Sequence, residues 1–259
     1  MVLAKFLDIL FPPACLNCRT GILAGTVLCE KCIKIVRLNK NLFCGRCSAR
    51  IPRLRAYSAE ATSAAKAGQG SGGQVGGQAG FAAIKKICHK DFPYTLGAAT
   101  QYDSATVKNL IHALKFRCIK RAAEPLAALL IEYAAGLALQ LENHSVIPIP
   151  LSRARLRRRG FNQAELIARA FAGYFSLPLE TESLVRIKNT KPQSETKRLI
   201  ERRGNISGCF MARDPNALRG KNIILIDDVT TSGATLFEAA SVLKAAGARK
   251  ILALTVARA

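Results

Sequence analysis

The stretch Asn222-Ile-Ile-Leu-Ile-Asp-Asp-Val-Thr-Thr-Ser-Gly-Ala-Thr235 constrains the fold more than any other part of the chain. Residues 223–226 form a short continuous apolar run, the pattern of a strand buried on both faces. Over residues 236–246 apolar side chains recur at helical spacing and stop before Gly247. A buried strand followed at once by an amphipathic helix is the repeating unit of an α/β sheet. The loop between them lies at the carboxyl end of the strand, where such sheets bind ligands. There Thr230, Thr231, Ser232, Gly233, Ala234 and Thr235 bring hydroxyls and backbone N–H groups to a helix N-terminus, which favours an anion.

Asp227 and Asp228 add a second requirement. A carboxylate pair beside an anion cradle is repelled by the anion unless it serves another group. Sugar hydroxyls and a magnesium ion are the natural partners. Capping a helix requires neither paired acids nor a run of hydroxyl residues around one glycine.

Charge points to the same class of ligand. Lys and Arg number 39 against 17 Asp and Glu, a formal net charge of +22. Such an excess favours nucleic acid, phosphorylated substrates or an anionic membrane surface; a solvated basic surface is the plain alternative. Arg153, Arg155, Arg157, Arg158 and Arg159 follow a predicted strand at 146–149, and Lys188, Lys191, Lys197, Arg198, Arg202 and Arg203 surround Pro192-Gln-Ser194. Phe161 is the only aromatic in either cluster, which argues against a stacking platform for single strands.

Six of the nine cysteines are arranged as Cys15-x-x-Cys18, Cys29-x-x-Cys32 and Cys44-x-x-Cys47, which is metal-site spacing. Two such knuckles about ten residues apart close a tetrahedral zinc site, which selects Cys15, Cys18, Cys29 and Cys32. The competing pairing takes Cys15 and Cys18 with Cys44 and Cys47, and spacing leaves it open. No run of about twenty apolar residues occurs, so no transmembrane helix is predicted. Residues 2–11 read as a short amphipathic helix rather than a signal peptide. The expected location is cytoplasmic, with peripheral contact at the inner face of the membrane as the minority reading.

Residues 227–235 resemble the phosphoribosyl-diphosphate (PRPP) loop of type I phosphoribosyltransferases. With Leu114-Lys-Phe116, Ile147-Pro-Ile-Pro150, Arg159-Gly-Phe-Asn-Gln163, Pro192-Gln-Ser194, Arg203-Gly-Asn205 and the cysteine series, the chain resembles the ComF family of competence-associated phosphoribosyltransferase-like proteins. The resemblance implies an α/β fold with a mainly parallel sheet flanked by helices, preceded by a small zinc-ribbon domain. The implied organisation is a ribbon at 1–58, a flexible Gly/Ala/Gln-rich segment with the remnant of a second ribbon at 59–92, and a phosphoribosyltransferase-like domain at 93–259. The second ribbon is incomplete: Cys44, Cys47 and Cys88 remain, Lys85 stands in one cysteine place, and His89 is the candidate substitute, although adjacent residues in an extended chain, here Cys88 and His89, point in opposite directions.

The resemblance also implies site roles. Thr230 to Thr235 would hold the 5′-phosphate of PRPP, Asp227 and Asp228 its ribose hydroxyls with magnesium, and Leu151, Ser152 and Arg153 the pyrophosphate. Lys191 and Arg203 would belong to a catalytic loop at 188–203, and Lys115 is a weaker candidate. Nothing in the chain specifies an acceptor. A binding protein is therefore the rival to an enzyme, with single-stranded DNA, or a competence helicase or channel protein, as its partner.

Overall fold

The computed structural model describes residues 13–51, 89, 91–188 and 208–259. The expected helix at 2–11, the low-complexity tract at 60–80, Cys88, Lys191 and Arg203 lie outside the described residues. In chain order the elements are α1 (Glu30–Lys34), β1 (Leu42–Cys44), β2 (Arg50–Ile51), β3 (Thr95–Gln101), α2 (Ala105–Phe116), α3 (Ala123–Gly136) and β4 (His144–Pro148). They continue as α4 (Arg153–Arg159), α5 (Gln163–Tyr174), β5 (Leu184–Arg186), β6 (Phe210–Ala212), α6 (Pro215–Leu218), β7 (Asn222–Thr230), α7 (Ala234–Ala245) and β8 (Lys250–Arg258).

One sheet has the order β2-β1-β3-β8-β7-β4; β3, β8, β7 and β4 are parallel neighbours, while β1 and β2 join antiparallel at one edge. The fold is thus the expected mainly parallel α/β sheet with helices. β5 and β6 form a separate antiparallel pair. Residues 223–226 are fully buried, which explains their unbroken apolar run.

Successive residues of β7 face opposite layers. Ile224 and Ile226 pack with Leu110 and Leu114 of α2 and with α3 and α5, whereas Ile223 and Leu225 pack with Leu236 and Ala240 of α7 and with Leu184 and Phe210 of the small sheet. The cysteine region docks on the first of these layers through Cys15, Leu28, Cys32, Leu42 and Ile51. Tyr133 donates its hydroxyl to Asn41 O at 2.6 Å, and Asn39 Nδ2 donates to Ala98 O at 2.8 Å.

The arginine cluster after β4 is helical. Ser152 caps α4 by accepting from Arg155 N at 3.4 Å, and Gly160 ends it in the left-handed region at φ 75°, leaving Arg153, Arg157 and Arg158 exposed.

Candidate functional site

The phosphate-cradle residues lie where the sequence puts them, at the carboxyl end of β7 and the start of α7. Gly233 has φ 72°, and a Cβ there would stand 2.9 Å from Tyr94 Oη, so the turn has room for glycine only. Ser232 Oγ is buried and has no hydrogen-bond partner among the described residues, the condition of a donor waiting for an acceptor. The other proposed loop is close by, because β4 and β7 pair in parallel up to Pro148 and Ile226. Ile149 N then donates to Ile226 O at 2.8 Å, and Leu151, buried Ser152 and exposed Arg153 follow.

Asp227 and Asp228 are not in a turn. β8 continues beside them, and both lie within β7, so they extend its two opposite rows. Each is oriented by the backbone: Asp227 Oδ1 accepts from Asp228 N and Asp228 Oδ1 from Val229 N, both at 2.8 Å. Beyond this their surroundings diverge. Asp228, 2% exposed, forms a 2.8 Å ion pair through Oδ2 with Lys115 Nζ at the end of α2. Arg159 is a second cation near it: burial lowers the Arg159 pKa and the Asp228 charge opposes that shift. Asp227 is half-buried. Burial pushes its carboxyl well above the ordinary carboxylate range, the Asp228 charge adds to this, and Lys115 pulls the other way.

Arg186 on β5, unremarked in the sequence, belongs to the same electrostatic environment. Burial lowers its pKa, and the neighbouring Cys209 and Asp227 side chains oppose the shift. Its guanidinium carbon lies 5.3 Å from the centre of the Phe210 ring. No local signal marks Arg186, because it meets the site through the small sheet formed with a distant segment.

The metal candidates separate into two groups. The sulfurs of Cys15, Cys18, Cys29 and Cys32 all lie within 4.8 Å of one another. Tetrahedral zinc, with sulfur bonds of about 2.3 Å, fits that spacing. The structure therefore brings together the first of the two cysteine pairings. Cys44 and Cys47 gather instead with His89, whose Nδ1 lies 3.4 Å from Cys44 Sγ.

Magnesium held jointly by the two carboxylates fits less well. The acids continue opposite rows of the strand, and Asp228 already has a backbone donor on one oxygen and, on the other, an ammonium that pairs with it by charge and close approach rather than by an aligned hydrogen bond. Among the described residues no helix is long and apolar enough to cross a membrane.

Two family models match: a double zinc ribbon domain over residues 6–64 and a phosphoribosyl transferase domain over residues 154–259. The fold is thus that of a phosphoribosyltransferase-type domain, preceded by a match to a double zinc ribbon, and the cysteine cluster supports structural zinc. The chain is a homologue of proteins named Competence protein F, ComFC and DNA utilization protein YhgH. It is 30% identical to YhgH of Salmonella typhimurium over 146 residues, 55% of this chain and 63% of the relative. It is 33% identical to Competence protein F of Haemophilus influenzae over 116 residues, 44% of this chain and 50% of the relative. To ComFC of Bacillus subtilis it is 38% identical over 116 residues, 44% of each chain. The chain thus spans less than two thirds of each relative's length.

Proposed function

We propose that the turn at the end of β7 binds PRPP. The observation that carries this reading is the anion cradle itself: residues 230–235 join a parallel strand to a helix N-terminus, through a glycine-only position and a buried hydroxyl with no partner among the described residues. The 5′-phosphate occupies that turn. The acid pair, just before it on the strand, serves the ribose side of the ligand, and residues 151–153, at the end of the adjacent strand, serve its diphosphate.

If the bound ligand reacts, its C1–O bond breaks, pyrophosphate leaves with the electron pair, and an acceptor atom bonds to C1. Fixed donors aimed at the departing charge are then what the protein contributes. Calorimetric titration of the full chain with PRPP, with and without magnesium, tests the reading. Saturable heat that is lost in a Thr231→Ala, Ser232→Ala double variant is the expected result. No heat from a folded, zinc-loaded sample overturns it. Pyrophosphate release during an acceptor screen separates an enzyme from a binding protein.

The exposed arginines of α4 favour a second reading, in which this surface binds single-stranded DNA. That reading predicts an affinity falling steeply with salt and no pyrophosphate release.

A further inference from the structure

Asp227 and Asp228 are adjacent in sequence, yet they have different surroundings. Asp228 continues the row of Ile224 and Ile226, on the layer where α2 packs, and there it meets Lys115 at 2.8 Å. Lys115 is itself mostly covered, with 19% of its side chain exposed, between Leu114, which is fully buried, and Phe116, which is exposed. Asp227 continues the row of Ile223 and Leu225 and is half-buried. Asp228 is thus a buried carboxylate with a matched cation, and removing either partner strands the other.

We infer that Lys115 is the built-in counter-ion of Asp228, dividing the acid pair into a ligand-facing carboxylate, Asp227, and a carboxylate reserved for the protein's own cation. This inference rests on the PRPP reading for the identity of the ligand, but the ion pair stands without it. With Lys115 in place the Asp228 carboxylate is matched by a cation of the protein itself, so a phosphorylated sugar approaches at reduced repulsion. The acids then have no second free carboxylate with which to chelate a divalent cation. Any magnesium therefore arrives on the diphosphate of the ligand rather than being recruited by the acids. Lys115 acts as a positioning residue, through Asp228.

The test measures two affinities that move in opposite directions. Manganese, a spectroscopic stand-in for magnesium, is titrated into the full chain without PRPP and followed by electron paramagnetic resonance; PRPP with magnesium is titrated separately by calorimetry. Lys115→Gln is expected to tighten manganese binding at least tenfold while weakening PRPP at least fivefold. Lys115→Arg, which keeps the charge, is expected to leave manganese binding at its original level. Adding Asp228→Asn to Lys115→Gln is expected to abolish the gain. Unchanged manganese affinity in a folded Lys115→Gln variant overturns the inference. If Lys115→Gln does not fold, the inference requires that adding Asp228→Asn restore folding, and failure to do so overturns it. Should the unaltered protein bind no PRPP, the functional reading falls, while the manganese comparison still decides the role of Lys115.

Discussion

Between Cys15 and Cys47 the chain carries one helix of five residues, one complete strand of three, and loops, whereas β7 lies inside four parallel strands with helices packed on both faces. In the first region the groups positioned to hold neighbouring turns together are four sulfurs. In the second, four consecutive side chains at 223–226 are fully buried, and the site residues are carried at the end of a strand its neighbours already fix. Ligand binding and folding are thus one event in the ribbon and two events at β7. Metal loss should dissolve the first region, and ligand loss should leave the second standing.

The largest expected effect tests that division directly. Structural zinc in small domains carries an apparent free energy of about 10 kcal/mol or more at neutral pH. Changing Cys15 and Cys18 to Ser together should lower zinc content by one ion per chain and erase amide protection over residues 13–36, while the amides of β7 and β8 stay protected. Hydrogen exchange with mass spectrometry, alongside metal analysis, reads both. Equal loss in the two regions would break the comparison. It would mean that the contacts of Cys15, Leu28 and Cys32 with the shared core, together with the Asn39 and Tyr133 hydrogen bonds, make one cooperative unit.

A smaller effect sharpens the other side. Gly233→Ala puts a Cβ 2.9 Å from Tyr94 Oη at a φ of 72°, and the left-handed conformation alone costs a non-glycine residue about 1–2 kcal/mol. The melting temperature should fall by a few degrees. PRPP affinity should fall more than tenfold and zinc content should not change. Adding Tyr94→Phe relieves the contact but not the backbone, so recovery should be partial. Full recovery would show that crowding, rather than the backbone, makes glycine necessary.

How much of this was legible before folding follows the same division. The β7 and α7 pair is readable because burial on both faces leaves an unbroken apolar run and helical burial leaves its own spacing. The cradle could then be placed by position alone. The acids read as part of the turn, since charge normally marks a strand's end; they lie in the strand because β8 extends alongside to Arg258. Residues 153–159 stand out in the sequence only as a run of arginines after a strand, although Ser152 and Gly160 are the cap and stop of a helix. The hairpin of β1 and β2 is too short to show a period. The pairing of Lys115 with Asp228 joins positions 113 residues apart, and the approach of His89 to Cys44 depends on long-range closure; neither leaves a local pattern.

The smallest effect concerns an ion pair that holds no ligand. Lys221, just before β7, donates to Glu180 Oε1 at 2.7 Å, and Ser183 donates to Oε2 at 2.7 Å. Burial pushes the Glu180 carboxyl up, but hydrogen bonds from Lys221, Ser183 and Ser145 outweigh it and hold the pKa below the ordinary value. A carboxylate lowered in the folded state stabilises above its unfolded pKa of about 4, and that contribution is lost as pH falls through the folded pKa. Lys221 is 39% exposed, so solvent screening limits the pair to about 1 kcal/mol or less. Glu180→Gln should therefore lower the melting temperature by no more than about 2–4 °C at pH 7, with the difference shrinking toward zero below pH 4. Zinc release shares that acid range, because thiolates protonate too, so the amides of β4 and β7 are the proper readout. A difference that persisted there at low pH would assign Glu180 a packing role, and would show that even the core-held region draws little of its stability from charge.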